Sequence, residues 1–375
     1  MSLHEIALED AFTFHNGKAP KSNPEGPFAI FGSNGRIGFS KESNHAGALI
    51  IGRVGAYCGS IEYSLEPFWA SDNTIVVKPR ENQNLRYWYY RLKCHPLGNY
   101  AGGAAQPLLT QGTLKPIKLL VHKNEDEQDQ VAKILTTYDD LIENNRRRIQ
   151  LLEESARLLY QEWFIHLRFP GHEQVKIIDG VPEGWVRARV RDLGLVVTGK
   201  TPSTKDSANF GDYLPFIKTP DMHDSSIVLF PSEYLSEKGA NSQKNKTLPA
   251  SSILVACIGA KLGVVSLNAF ECQTNQQINA VVPKDKFLTY YSYFTLKDFR
   301  PKLLAIGGGA TMPNVNKTKF ESMDLIIPSN SLLDEFHDFC EPVFNQIKTL
   351  LFKNSKLSQA RDILLPKLMS GELTV

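Results

Sequence analysis

The sequence predicts an α+β fold: two similar domains of short strands and small helices, separated by two long antiparallel coiled-coil helices. The first observation behind this prediction is a phrase that the chain contains twice. Residues 49–63 read LIIGRVGAYCGSIEY, and residues 253–267 read ILVACIGAKLGVVSL. An aliphatic run followed by Gly-Ala-x-x-Gly thus recurs after 204 positions (253 − 49), as expected of a duplicated domain. The second observation is a heptad pattern after each copy.

The composition limits the class of protein. The chain has 375 residues, of which 42% are hydrophobic, which is enough for two or more domains with buried cores. Its five scattered cysteines include no Cys-x-x-Cys pair, so we expect reduced thiols. We find no signal-peptide core and no apolar run of membrane-spanning length. A cytoplasmic protein is therefore expected.

The likeness between the two copies extends beyond the glycine phrase. Residues 16–20 (NGKAP) resemble residues 198–202 (TGKTP), an offset of 182 (198 − 16), whereas Pro107 matches Pro313, an offset of 206 (313 − 107). The second copy should therefore contain an insertion, which we place in the polar region 220–248. Short aliphatic runs broken by Gly, Pro, Asn and Ser predict short strands and turns in both copies.

The Gly-Ala-x-x-Gly phrases allow two interpretations. Glycine permits close approach of the backbone to a phosphate, with Tyr57 or Lys261 at the tip of the turn. It also permits a sharp bend between core strands. We favour the structural interpretation, because the flanking residues are strongly apolar.

Each copy is followed by a charged segment with a heptad seam. In the first segment, apolar residues and one amide alternate spacings of three and four. This seam comprises Val131, Leu135, Tyr138, Ile142, Asn145, Ile149, Leu152, Ala156, Leu159 and Trp163. The second seam comprises Leu333, Phe336, Cys340, Val343, Ile347, Leu350, Asn354, Leu357, Arg361, Leu364 and Leu368. Pro342 should kink or split the second helix, and Pro366 should end its regular part.

The predicted order is domain, helix, domain, helix. The predicted segments are 1–122 (first domain), 123–170 (first long helix), 171–330 (second domain) and 331–375 (second long helix and tail). An exposed apolar seam needs a partner, and the economical partner is the other long helix in an antiparallel pair. A parallel pair within a homodimer is the alternative.

The two amides in the seams give the antiparallel pair a testable register. In such a pair the numbers of facing residues add up to a constant. The centres of the seams lie near residues 147 and 350, which gives about 497. Asn145 and Asn354 add up to 499, so we expect them to meet and to fix the register. The alternative is that each amide faces solvent.

Charge and polar turns indicate a polyanionic partner. The two domain segments each carry a net charge of +3, and the helical segments carry −3 and −1. Basic, amide and hydroxyl side chains in the turns can contact phosphates or base edges. Each residue alone is better explained as an ordinary solvated loop residue, but their placement at equivalent points in both copies favours a functional role. The candidates for DNA binding are Lys18, Lys21, Asn34, Arg36, Lys41, Tyr57, Gln106, Thr110, Lys200, Thr201, Lys218, Lys244, Lys246, Lys261, Asn275, Thr311, Asn314 and Asn316.

These features together resemble a known family, the specificity subunits of type I restriction–modification systems. The resemblance covers the whole chain and depends on the NGK and TGK segments, the two glycine phrases, PEGW at 182–185 and LLPKLMSGEL at 364–373. It implies two target-recognition domains, each reading one half of an asymmetric double-stranded DNA site, and helices that set the spacer. It also implies two modification subunits and restriction subunits as partners, with S-adenosylmethionine, ATP and magnesium bound by those partners.

Catalytic motifs are absent from the sequence. It contains no Pro-Pro dipeptide, no Glu-x-Lys, no P-loop and no HExxH, so amino-methyltransferase, nuclease, nucleotide-binding and metalloprotease sites of the usual kind are not expected. We therefore expect a non-catalytic DNA-recognition subunit without a cofactor or metal of its own. The alternative is a coiled-coil scaffold with duplicated protein-binding domains.

Overall fold

The chain divides into two compact units. Unit 1 comprises Met1–Glu143 and Ser355–Val375, and unit 2 comprises Asn144–Asn354. The structure is a computed structural model, and it describes residues 3–80, 83–103, 106–223, 225–308 and 313–374.

Two α-helices are much longer than the others. In chain order the helices are α1 (Leu8–Ala11), α2 (Leu85–Lys93), α3 (Gln111–Leu114), α4 (Glu125–Tyr160), α5 (Val190–Leu193), α6 (Glu237–Asn241), α7 (Leu288–Asp298), α8 (Arg300–Gly307), α9 (Lys317–Glu321) and α10 (Asn330–Met369). Across the described ranges, no helix has the length and apolar character needed to cross a membrane.

The described residues of unit 1 contain short strands arranged in three small sheets. They are β1 (Leu3–Ala7), β2 (Phe12–Asn16), β3 (Phe28–Gly32), β4 (Gly35–Ser40), β5 (Ala48–Gly52), β6 (Ile61–Ser64), β7 (Trp69–Ala70), β8 (Thr74–Pro79) and β9 (Lys118–His122). The strand orders are β2-β8-β5-β6, β4-β3-β7 and β1-β9. Strand β5 reads ALIIG and is buried along its length, because both of its faces are covered by the core.

Helix α2 covers the four-stranded sheet of unit 1. The side chain of its N-cap residue, Asn84, accepts a hydrogen bond from the backbone N–H of Tyr87 at 2.8 Å, which satisfies a donor at the free end of the helix. Trp88 is fully buried and packs edge-on against Phe12 of β2, with 4.8 Å between ring centroids. The sheet that carries the first glycine phrase is therefore held rigidly.

Unit 2 repeats this plan. Its strands are β10 (Ile177–Ile178), β11 (Val181–Pro182), β12 (Val186–Arg189), β13 (Gly194–Thr198), β14 (Phe210–Ile217), β15 (Ile227–Val228), β16 (Glu233–Leu235), β17 (Ile253–Ala256), β18 (Val265–Asn268), β19 (Gln273–Thr274), β20 (Ile278–Pro283) and β21 (Asp324–Ile327). The orders β13-β20-β17-β18-β15, β16-β14-β19 and β12-β21 correspond to the sheets of unit 1, and β10 and β11 form a further two-stranded sheet. The predicted duplication is confirmed.

The second copy also contains the predicted insertion. Strand β14 ends 185 positions after β3 (217 − 32), whereas β17 ends 204 positions after β5 (256 − 52). The extra residues lie between β14 and β17 and include β15 and α6. The two copies therefore share a framework but differ in the elements added to it.

Helices α4 and α10 pair antiparallel within each unit, as the sequence predicts. In unit 1, Val131 and Leu135 near the start of α4 share a core with Leu368 near the end of α10. In unit 2, the later part of α4 shares a core with the earlier part of α10, and the rings of Tyr160 and Phe336 lie 6.3 Å apart. Every position of the two predicted seams is buried or half-buried.

The expectations that Pro342 splits off the first turns of the helix and that Pro366 ends its regular part were wrong. Helix α10 continues as one helix through Pro342 and through Pro366 to Met369. Pro342 is exposed, so water can satisfy the carbonyl that loses its helical donor there. The buried residues Cys340 and Phe344 keep the chain helical on both sides, and their packing outweighs the cost of one proline.

The predicted meeting of the two seam amides is confirmed. In unit 2, Asn145 Nδ2 donates a hydrogen bond to Asn354 Oδ1 at 2.8 Å. In unit 1, Arg361 also occupies a seam position, and its guanidinium forms an ion pair with Asp139. Tyr90 also donates to Asp139, at 2.5 Å. Two polar contacts therefore fix the register of the helix pair, one in each unit.

Candidate nucleic-acid interface

Several loops of unit 1 meet at one edge of its sheets. These loops are 17–21, 33–34, 53–60, 71–73 and 106–110, and we call them the loop edge of unit 1. The backbone N–H of Gly55 donates to the carbonyl of Pro107 at 3.1 Å. The Gln111 amide donates to Asn16 Oδ1 at 3.0 Å. Segments that are far apart in the sequence are thus bonded to one another at this edge.

The loop edge of unit 2 has the same construction. It comprises the loops 199–205, 218–220, 257–264, 275–277 and 313–316. The backbone N–H of Gly259 donates to the carbonyl of Pro313 at 3.0 Å, which reproduces the bond between Gly55 and Pro107 in unit 1. The match between the glycine phrases is therefore a match in geometry as well as in sequence.

Lys18 and Lys200 occupy equivalent positions in the two units. The Lys18 N–H donates to the carbonyl of Ala70 at 3.0 Å, and the Lys200 N–H donates to that of Thr274 at 2.9 Å. Both side chains are exposed. The backbone therefore presents one lysine at the same place on each loop edge.

The glycine phrases are structural, as we favoured. Gly55 and Gly259 have φ values of 74° and 90°, which side-chain-bearing residues rarely adopt. A Cβ on Gly59 would lie 2.3 Å from the backbone nitrogen of Gly98, so this position also requires glycine. Tyr57, between the glycines, is 55% exposed and is available for contact.

Most of the candidate side chains lie at the surface. The exposed candidates are Lys18, Lys21, Asn34, Arg36, Lys41, Tyr57, Gln106, Thr110, Lys200, Lys244, Lys261, Asn314 and Asn316, and the half-buried ones are Thr201, Lys218 and Lys246. Thr311 lies outside the described residues. Lys41 follows the end of β4 that is remote from the turn at Asn34, so it is set apart from the loop edge.

Three candidates have hydrogen-bond or ion-pair partners within the protein, and one of them is Thr201, whose hydroxyl donates to Gln276 Oε1 at 2.6 Å. Asn275 is 8% exposed, and its Oδ1 accepts from the backbone N–H of Gln277 at 3.2 Å, so it shapes a turn and is not accessible to DNA. Lys218 forms an ion pair with Glu233, which neutralises its charge. We remove Asn275 from the candidate set and rank Lys218 below the unpaired lysines.

Two further candidates cap helices at equivalent positions. Thr110 Oγ1 accepts from the N–H of Thr113 at 3.2 Å, at the start of α3. Asn316 Oδ1 accepts from the N–H of Lys319 at 2.9 Å, at the start of α9. These side chains stabilise the ends of the loops, which explains why both copies have a capping residue there.

A cluster of basic side chains around His45, near Lys18, was missed in the sequence. The rings of His15 and His45 lie 5.6 Å apart. Burial lowers the pKa of His45, and the charges of Lys78, His15 and Lys18 lower it further. An approaching phosphate would offset this repulsion. Only the proximity of His15 to the NGK turn was visible in the sequence, since His45 and Lys78 come from other segments.

Arg53 was also missed. It follows β5 directly, its backbone N–H donates to the carbonyl of Asn73 at 3.0 Å, and its own carbonyl accepts from Leu109 at 2.9 Å. It lies inside the glycine phrase, which we interpreted as scaffold. No group of three or more His, Cys, Asp or Glu suited to a metal occurs in the described part of the chain.

Comparison with known proteins identifies the family. The model of the type I restriction modification DNA specificity domain matches residues 3–154 and again 182–349. The chain therefore belongs to the family of type I restriction–modification DNA specificity subunits, as the resemblance implied.

Named relatives agree with this assignment. The HindI specificity subunit of Haemophilus influenzae is 28% identical, with 84% of this chain and 83% of that protein covered. The MjaIX specificity subunit of Methanocaldococcus jannaschii is 25% identical, with coverage of 84% and 76%. The fold is that of the type I S subunit from M. genitalium, with a TM-score of 0.65, 15% identity and coverage of 98% and 96%. The alternative of a protein-binding scaffold is not supported.

Proposed function

We propose that each unit reads one half of a bipartite, asymmetric DNA site with its loop edge. The observation that carries this proposal is a shared backbone with different side chains. The bonds from Gly55 to Pro107 and from Gly259 to Pro313 coincide, whereas the side chains of the two loop edges differ and unit 2 contains an insertion that includes α6. Identical halves would read a palindrome, and diverged halves on one framework can read two different sequences.

The paired helices would set the distance between the half-sites. Helix α4 has 36 residues, which corresponds to a rise of about 54 Å. This length exceeds one turn of DNA, about 34–36 Å. The contacts of Asn145 with Asn354 and of Arg361 with Asp139 support a fixed register and hence a fixed spacer.

The remaining steps of modification and restriction would occur on partner subunits. We infer that this chain docks two modification subunits through its helices, and that restriction subunits join them for cleavage. S-adenosylmethionine, ATP and magnesium would be bound by those partners. Two specificity domains and two long helices account for the described chain, and they support a role in recognition.

The proposal is tested by methylome sequencing of cells that express this chain with its modification subunit. The expected result is methylation at one asymmetric sequence with two defined halves and a spacer of constant length. The purified complex should bind that sequence with a steep dependence on salt. Methylation at a continuous or palindromic sequence, or binding without salt dependence, would contradict the proposal.

A further inference from the structure

Arg53 combines a backbone that is held by hydrogen bonds with a guanidinium that lacks an acceptor in the described part of the chain. Its Nε is shielded from solvent and has no hydrogen-bond partner among the described residues. No ion pair of its guanidinium is present there either. Shielding part of a cation without an acceptor is unfavourable, so the Arg53 side chain would gain a partner by turning towards an acceptor outside the unit.

The location of Arg53 indicates where that acceptor comes from. The residue lies in the loop edge of unit 1, between β5 and the turn that contains Gly55. Its backbone is bonded on one side to Asn73 and on the other to Leu109. Two neighbouring loops therefore hold its Cα in place, which reduces the entropy lost when the side chain binds.

The corresponding residue of unit 2 is Cys257. Its N–H donates to the carbonyl of Gln277 at 2.8 Å, and its carbonyl accepts from Val315 at 2.9 Å. These bonds match those of Arg53, so the two backbones coincide while the side chains differ completely. Lys18 and Lys200 show the opposite pattern, since backbone and side chain agree. A lysine that both copies share is expected to contact phosphate, which every DNA sequence presents. A residue found in only one copy is expected to contact a base.

We propose that Arg53 reads a guanine in the half-site bound by unit 1. The inference rests on the proposed function. The planar guanidinium offers paired N–H donors in a fixed fork, and guanine presents O6 and N7 as paired acceptors in the major groove. Cys257 has no such donors and is 2% exposed, so unit 2 makes no equivalent contact.

The test uses the complete methyltransferase complex and the DNA site found by methylome sequencing. Each guanine of both half-sites is replaced in turn by 7-deazaguanine, which lacks the N7 acceptor. The wild-type complex should lose affinity about 10-fold at one guanine of the first half-site. The Arg53→Ala complex should bind that duplex and the natural one equally well. Arg53→Lys keeps the charge but not the planar fork, and should reduce the discrimination.

Control variants separate base reading from other effects. Arg80→Ala removes an exposed arginine at the opposite end of β8 and should keep the discrimination. Melting curves of all variants should show that unit 1 remains folded. Retained discrimination in Arg53→Ala would overturn the inference, as would a first half-site without a G·C pair. If the Arg53→Ala complex instead lost affinity equally for all duplexes, with a salt slope shallower by about one unit, Arg53 would contact phosphate. This result would also overturn the inference. Absence of sequence-specific binding by the wild-type complex would instead refute the proposed function.

Discussion

The hydrogen bond between Asn145 and Asn354 should contribute measurably to the stability of unit 2. Asn145 is 8% exposed and donates to Asn354 at 2.8 Å. Replacing Asn145 with alanine removes this bond from a site that water reaches poorly. The loss of such a bond costs about 1–2 kcal/mol. For a unit of this size the unfolding temperature should fall by about 2–4 °C for each kcal/mol.

The neighbouring Asn144 offers a matched control. It lies on the same helix but is exposed, so Asn144→Ala reports the gain in helix propensity alone, about 0.5 kcal/mol. The difference between the two variants isolates the buried contact. Calorimetry is the suitable measurement, because it resolves separate transitions if the units unfold independently.

A double variant completes the test. Leucine at both positions fills the seam with apolar side chains, so it should recover the stability lost in each single leucine variant. The double variant should also allow α4 and α10 to pair in more than one register. Methylome sequencing would then detect methylated sites with altered spacer lengths. Equal unfolding temperatures for the Asn145→Ala and Asn144→Ala proteins would refute the view that this bond stabilises the pair.

Three further predictions concern charge, pH and catalysis. Lys18→Ala and Lys200→Ala should each weaken DNA binding at all sequences and make the salt slope shallower by about one unit. Titrations at several salt concentrations check this, and an altered sequence preference at constant slope would be contrary to it. His122 is fully buried and its ring lies 2.9 Å from the Tyr87 hydroxyl; burial lowers its pKa below 6.5. The contribution of the neutral His122 ring to the stability of the fold is therefore complete above pH 6.5. It is lost as the pH falls from there through the lowered pKa, because the ring must then take up a proton in a buried site. The drop in unfolding temperature between pH 7 and pH 5 should be smaller in His122→Gln, and an equal drop in both proteins would contradict this. The chain purified without partners should not turn over S-adenosylmethionine, and stoichiometric methyl transfer by the single chain would disprove the prediction.

The periodic features of this chain could be predicted from its sequence because they repeat. The heptad seams predicted both long helices, and the need of each seam for a partner predicted their antiparallel pairing. The contact of Asn145 with Asn354 could be predicted because the register of an antiparallel pair follows from residue numbers. The effect of Pro342 could not be predicted in this way. It depends on buried neighbours such as Phe344, whose packing is a tertiary property.

The candidate interface was predicted less completely. The turns that contain Lys18 and Lys200 were found because the two copies match there. Asn275 was included wrongly, since exposure cannot be deduced from a polar side chain in a turn. Arg53 and the cluster around His45 escaped notice because their neighbours, such as Leu109 and Lys78, come from distant segments. The segment boundaries at 122, 170 and 330 stay a prediction.

The most direct test of the central claim exchanges one recognition domain. Residues 1–122 are replaced by the corresponding segment of a related specificity subunit with a different target, and the methylome is sequenced again. The account predicts that one half of the methylated sequence changes while the other half and the spacer length remain the same. A change in both halves, or in neither, would contradict the claim that each unit reads its own half-site.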